Sequence, residues 1–427
     1  MQITQTSKRN PWSWIPTLYF GQGIPYVVVM SISVIMYKKM GISNTDIALY
    51  TSWLYLPWVI KPLWSPFVDM FRTKRFWIVT LQLLIGAALA GVAFTIPLPS
   101  FFQITLAVFW LMAFSSATHD IAADGFYMLA LEQHQQAAFV GVRSTFYRIA
   151  MIMGQGALVY LAGYLETSTS SISTAWSITF FLLAGIFLSL AIYHKFVLPY
   201  PVSDKPTVSD ASHNVLKEFV NTFGSFFKKK NIGIILAFLL LYRFAEAQLV
   251  KLVTPFLLDP RIEGGLGLTT QEVGIVYGTV GVIALTLGGL LGGFVIAKRG
   301  LKFWLWIMVC AIHLPDAMFI YLSQVQPENF YFISAAVAIE QFGYGFGFTA
   351  YMLFMIMTSE GEHKTAHYAI CTGFMALGMM LPGMFSGWLQ DQIGYQHFFL
   401  WVMASTIPGF IIAALVKIPE EFGKKKV

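Results

Sequence analysis

Charge is what this sequence has least of. Asp, Glu, Lys and Arg make up 11% of its 427 residues, whereas soluble domains carry about a quarter. With 57% hydrophobic residues and a mean hydropathy of +0.66, a soluble globular chain is excluded. Cysteine is almost absent: Cys310 and Cys371 both sit inside apolar runs, too few for a disulfide framework or a metal cluster. An oxidising compartment therefore gains no support. The N-terminus has no short apolar stretch followed by a small-residue cleavage site, so the first span is expected to be retained. Lys and Arg (27) exceed Asp and Glu (21), but they are scattered between apolar runs. There they report orientation, and no nucleic-acid partner is expected.

What the sequence has is one apolar run after another. A transmembrane helix needs roughly 20 apolar residues. Six such segments can be placed at about 14–37, 46–69, 76–96, 101–129, 139–165 and 174–194. Six more follow at about 232–258, 270–297, 302–322, 330–357, 366–390 and 396–416. Twelve spans leave short loops and no room for an extramembrane catalytic domain. The expected fold is all-α and integral to the membrane: a six-helix bundle over 1–198, a cytoplasmic linker over 199–231 and a second six-helix bundle over 232–427. After Pro199, Pro201 and Pro206, the linker carries Val215, Phe219, Phe223 and Phe227 at steps of four, then Lys228 to Lys230. That is the pattern of an amphipathic helix on a membrane surface. Lys and Arg collect at 8–9, 72–75, the linker, 298–302 and 424–426, leaving Lys38, Lys39 and Arg261 on the opposite side. Cytoplasmic loops keep positive charge, so both termini are expected in the cytoplasm.

The chain also repeats itself. Tyr127-Met128-Leu129 recurs 224 residues later as Tyr351-Met352-Leu353, and the same offset pairs Gly154 with Gly378 and Gly163 with Gly387. Gly41-Ile42-Ser43 resembles Gly267-Leu268-Thr269, and Arg75-Phe76-Trp77 resembles Lys302-Phe303-Trp304. Landmarks in one order at nearly one spacing predict two parallel six-helix copies, the arrangement of major facilitator transporters.

A charge inside a span is costly and is a functional candidate by default. In the fourth span, His119, Asp120 and Asp124 lie close together, and the i, i+4 spacing puts both carboxylates on one face. Arg143 and Arg148 open the fifth span at similar depth and are expected to pair with them. Held between burial and a cation, such acids suit a proton-responsive switch, with a fixed salt-bridge brace as the alternative. Arg243, Glu246 and Lys251 fall in the seventh span near the bilayer middle, where transporters bind cargo, and Arg243 can reach Glu246 at i+3. Tyr19, Gln22 and Tyr26 surround Gly21, Gly23 and Pro25 in the first span, a place for a kink and for polar ligand contacts. Lys61 and Asp69 in the second precede the basic turn Arg72/Lys74/Arg75. His313 and Asp316 read as a charge pair at the Pro315 kink and Glu340 as packing.

Several blocks resemble the AmpG-type muropeptide permeases, a branch of the major facilitator superfamily distantly similar to acetyl-CoA transporters. They are Phe20-Gly21-Gln22-Gly23-Ile24-Pro25, Lys61-Pro62-Leu63-Trp64-Ser65-Pro66-Phe67-Val68-Asp69, Ser116 through Asp124, Tyr147-Arg148 and Tyr242-Arg243-Phe244-Ala245-Glu246-Ala247. The resemblance implies proton-driven import of peptidoglycan fragments across the cytoplasmic membrane. It implies Asp120, Asp124, Arg148 and Glu246 in the polar pathway; together with the intramembrane polar residues above, coupling is expected at Asp120, Asp124 and Glu246, and substrate contacts from Tyr19, Gln22, Tyr26, His119, Arg148, Arg243 and Lys251. Lys61, Asp69, Arg72, Arg75 and Arg143 would form a gate, since Asp69 and its basic turn resemble the superfamily's inter-bundle latch, with Ser65 replacing the usual leading glycine. His119 stands where a neutral polar residue is usual and Glu246 where Asp is more common, so another glycan or an acyl-CoA-type cargo is the alternative. An intramembrane enzyme with a metal on His119, Asp120 and Asp124 is less favoured, because a catalytic zinc wants three ligands and usually more than one histidine. A monomer in contact with lipid and a small glycan or glycopeptide is expected, with no metal, no cofactor and no enzymatic activity.

Overall fold

The computed structural model describes residues 9–205, 221, 223–361 and 364–424. Every element among them is helical. Nine helical stretches among these residues are long and apolar enough to cross a membrane, and the three further segments predicted from the sequence have local explanations. The second segment is interrupted at Leu54 and Tyr55, giving Asn44–Trp53 and Leu56–Phe71. In Phe330–Ser359, Glu340, Gln341 and three closely spaced glycines dilute the apolar character. Ala366–Leu415 runs for 50 residues, far beyond the ~20 that a bilayer needs. Gly394, with φ 71° and ψ 166°, turns it between the eleventh and twelfth predicted segments, a backbone that glycine adopts without strain. Outward faces such as Leu287, Leu290 and Phe294 on Thr270–Arg299 are exposed large hydrophobics, which lipid satisfies and water does not.

The repeat has a physical counterpart. Gly154 and Gly378 each let a helix close on the opening helix of its own half: an added Cβ would lie 2.5 Å from Val27 and 3.2 Å from the Leu239 carbonyl. Gly163 and Gly387 face across the seam between halves, where a Cβ would come within 2.5 Å of the Gln271 amide nitrogen and 2.0 Å of the Asn44 carbonyl. Small residues of this kind set how closely membrane helices approach. Tyr127 and Tyr351 pack on matching partners, Tyr19 at 5.9 Å and Tyr242 at 5.5 Å.

The seam is made by the fifth segment (Gln133–Ile152, Met153–Leu158, Val159–Thr169) packing on Thr270–Arg299, and by the second packing on Lys364–Ala404. At the first of these crossings two π-turns meet, Met153–Leu158 and Gly274–Gly281. Polar links between the halves collect at one end. Lys38 pairs with Asp259 at 2.5 Å, and Asn44 donates to Gln390 at 2.7 Å and to Tyr395 at 2.8 Å. Thr45 donates to Asp391 at 2.5 Å, and Thr270 to Glu166 at 2.8 Å. Deeper links join Lys251 to Thr51 and Arg148 to Thr286. Among the described residues, no hydrogen bond or ion pair joins the halves beyond Arg148, toward the basic turns.

Of the linker, Val215 and Phe219 lie outside the described residues. At its described end Phe226, one position off the predicted stripe, is fully buried against Phe374, while Phe227 is exposed. That segment is anchored on the C-terminal half rather than presented wholly to a membrane surface.

Candidate functional site

The fourth span (Phe101–Ala130) does bring Asp120 and Asp124 to one side, and each has its own partners. Arg143 donates to Asp124 at 2.7 Å, the Tyr19 hydroxyl donates at 3.3 Å, and the guanidinium lies 4.4 Å from the Tyr19 ring centroid. Asp120 accepts from the Trp58 indole at 3.2 Å and faces Lys61 at 3.7 Å, with Gln22 beside it. Two expected members go elsewhere. Arg148 pairs with neither acid and donates to Thr286 at 3.2 Å, because its helix face looks across the seam. His119 turns into the bundle, where Gln82 links it, at 3.1 Å, to His194, which in turn bonds Thr17. His119, Asp120 and Asp124 therefore do not converge on a common point as metal ligands would.

The seventh span breaks at Tyr242 and Arg243 into Ile232–Leu241 and Phe244–Leu258 and presents two buried cations. Arg243 donates to the Tyr344 hydroxyl and lies 4.7 Å from the Phe348 ring centroid, and its Nε has no hydrogen-bond partner. Lys251 donates to Thr51 at 2.9 Å and sits 5.3 Å from the Tyr55 ring centroid. Among the described residues, neither cation has a carboxylate at ion-pair distance. Tyr26 meets Tyr55, packs edge-on against Trp58 at 5.4 Å and senses both Arg243 and Asp120. Tyr26 and Arg243, expected on sequence grounds, are thus brought together, along with Thr51, Tyr55, Trp58, Tyr344 and Phe348. Those five were missed because hydroxyls and aromatics are ordinary in membrane helices, and no spacing distinguishes them.

The predicted Arg243–Glu246 ion pair is not formed. Instead Glu246 meets Asp316 and Glu340, with one carboxylate oxygen from each lying within 4.8 Å of the other two. The predicted His313–Asp316 pair is also absent, and both Asp316 oxygens lack a hydrogen-bond partner. The intramembrane charges were the visible signal for this cluster. Their convergence from three helices was not visible.

The predicted gate also differs. The side chain of Asp69 lies outside the described residues. Arg72 is exposed and covers Phe76, and Arg75 covers Tyr200 at 3.8 Å and donates to the Lys195 and Leu198 carbonyls. Asp204 accepts from the Lys74 and Arg75 amides at 2.7 and 3.1 Å, as an anion does at a helix N-terminus. The second copy repeats this: Lys302 donates to Glu420 at 2.7 Å and holds its carboxyl below the ordinary range, while Leu301 bonds the Phe422 carbonyl. Among the described residues, in both halves the basic turn is tied to the chain that follows that half's own last helix.

Two helical copies meeting along a seam of buried charge define a class of membrane carrier. The Major Facilitator Superfamily model matches residues 17–356, and the chain belongs to that superfamily. It is an integral membrane transporter of that type. Its particular kinship is with the AmpG permeases, as the sequence blocks implied. It is 25% identical to the anhydromuropeptide permease of Escherichia coli strain K12 over 95% of this chain and 79% of that protein. It is 26% identical to the transporter AmpG 4 of Rickettsia conorii over 96% of this chain and 98% of that relative. The nucleoside transporter NupG superposes with a TM-score of 0.71 at 17% identity, covering 95% of this chain and 99% of NupG, a likeness of fold alone.

Proposed function

We propose that the protein imports peptidoglycan fragments of the anhydro-muropeptide kind, driven by protons, across the cytoplasmic membrane. The observation that carries this reading is the pair Arg243 and Lys251, buried in the seam with no carboxylate at ion-pair distance among the described residues and flanked by Tyr26, Tyr55 and Tyr344. A desolvated cation whose nearest carboxylate stands beyond ion-pair distance is incompletely compensated, so such a pair favours an anionic cargo. Eight residues of one helix separate the two by about 12 Å. That span suits a molecule with a carboxylate at one part and sugar rings for the aromatic faces. The relatives named as anhydromuropeptide permeases support the same cargo class.

The bundles 1–198 and 232–427, joined by 199–231, rock about the seam in alternating access. With both termini in the cytoplasm, links at the Asn44 end and, among the described residues, none between the halves at the basic end correspond to an inward-open state. Gln22 and Tyr26 contact the sugar, Lys61 and Asp120 line the cavity, and Arg148 closes against the eighth span. Asp124, Arg143 and Tyr19 brace the N-terminal bundle, and His119 packs it. The proton gradient supplies the energy without a bound cofactor, and Glu246 takes up the proton. The test is uptake of labelled GlcNAc-anhydromuramyl-tripeptide by proteoliposomes under an imposed inward proton gradient. Accumulation that a protonophore abolishes is expected. Uptake of a plain oligosaccharide instead, or accumulation indifferent to the gradient, would overturn it.

A further inference from the structure

We propose that Glu246, Asp316 and Glu340 act as one proton-holding unit, which gains a proton when an anionic cargo takes the Arg243 charge away from it. The proposal deepens the transport reading and rests on it for the cargo step alone. The three residues come from separate helices, each at a distinct feature. Glu246 lies just after the break in the seventh span, Asp316 closes the 3-10 turn Leu314–Asp316, and Glu340 sits within Phe330–Ser359. All three are at most 1% exposed. Both oxygens of Glu246, both of Asp316 and Oε1 of Glu340 have no hydrogen-bond partner, while Gln341 donates to Glu340 Oε2 at 2.9 Å.

The groups facing the cluster are few. Arg243 comes from the seventh span, Tyr277 from the eighth, and Gln341 and Tyr344 from the tenth. His313, one turn before Asp316, faces Tyr242 and Phe410 instead. Among the described residues, Arg243 is thus the one cation acting on the cluster, and it acts through Glu246. Like charges this close in a low-dielectric site cannot all ionise. One negative charge balances the guanidinium, and the other two carboxyls hold protons. A hard metal cation would want six to eight oxygen ligands and would be repelled by the guanidinium, so the proton is the better occupant.

The exchange step balances. When a cargo carboxylate binds Arg243, the ionised member of the cluster accepts a proton from the side of entry and forms an O–H bond. When the cargo leaves on the other side, Arg243 again balances the cluster, that O–H bond breaks, and the proton leaves to the same side. One proton moves with each anionic group.

Infrared difference spectroscopy on the purified full-length protein tests this without any cargo, by following the C=O stretch of protonated carboxyls at neutral pH. Asp316→Asn and Glu340→Gln should each remove about half of the band that the pair removes together. Arg243→Gln should enlarge that cluster band by about half, as a third carboxyl takes a proton. Adding Mg2+, Ca2+, Mn2+ or Na+ at fixed pH should leave the band unchanged. Three outcomes would overturn the proposal: no band lost in the Asp316→Asn/Glu340→Gln pair, an unchanged band in Arg243→Gln, or a metal ion that abolishes the band and raises the melting temperature. None of these depends on muropeptide uptake, so the cluster and the cargo reading fail separately.

Discussion

Asp124 in the N-terminal half has Arg143 at 2.7 Å and the Tyr19 hydroxyl as donors, whereas Glu246 in the C-terminal half has two more carboxylates beside it and, among the described residues, no hydrogen-bond donor. Both are acids on helices that the sequence marks as unusual. The difference between them lies in compensation. A carboxylate with a cation and a hydrogen bond has its charge compensated where it stands and braces its surroundings. A carboxylate crowded by its own kind must trade protons. The halves share landmark glycines and tyrosines and differ in how their buried acids are compensated.

The largest effect that could break this comparison is at Arg243. Arg243→Gln should weaken cargo affinity by about 3 kcal/mol, roughly a hundredfold, as loss of a desolvated charge contact does. The apparent KM for labelled anhydro-muropeptide uptake reports it, and a change under twofold would place the anion elsewhere. Next comes the acid contrast itself. Asp124→Asn should lower stability by about 1 kcal/mol, a partly exposed ion pair being worth no more, and should leave gradient-driven accumulation in place. Glu246→Gln should abolish accumulation while the folded protein melts normally. If Asp124→Asn or Asp120→Asn instead loses accumulation but retains exchange at an unchanged melting temperature, the proton site moves back to the fourth span.

A smaller effect is expected at the closed end. Asp259 accepts from Tyr395 at 2.6 Å and pairs with Lys38. Asp259→Asn should therefore shift the population toward the opposite-facing state by about 1 kcal/mol, several-fold. Spin-label distances between positions 45 and 391 would lengthen, and an unaltered distribution would mean that helix packing alone closes that end. The smallest perturbation is orientation. In a background lacking Cys310 and Cys371, single cysteines at 205 and 424 should be shielded from an impermeant reagent in intact cells, and one at 98 should react. The reverse pattern would invert the assignment of sides and turn the inward-open state into an outward-open one.

Much of this molecule could be read from residue order. Apolar runs of bilayer length and the 224-residue offset between matching glycines pointed to the class and a two-copy plan, and blocks such as Lys61 through Asp69 and Ser116 through Asp124 to its kinship, because each is a one-dimensional property of the chain. Asp120 with Asp124 was legible for the same reason: a helix converts i, i+4 into a shared face. Errors began where a partner had to be chosen from another helix. Arg143 and Arg148 are five apart and looked equivalent, yet the turn between them sends one to Asp124 and the other across the seam to Thr286. The superfamily-like basic turn suggested a latch between halves; that its amides are held by Asp204, about 130 positions on, was not legible from any local pattern.

Sequence alone determined that the chain lives in a membrane, that it is built from repeated helices, and that Arg243, Glu246 and Lys251 lie within a span, since the cost of burying charge is set by depth and composition. Tertiary structure decided what those charges meet. Glu246 is three residues from Arg243 but makes its group with Asp316 and Glu340, 70 and 94 positions away, because an electrostatic neighbourhood is fixed by how three helices rotate and cross. Which acids are paired with a cation and which are crowded by other acids is therefore a property of packing, and no local pattern carries it.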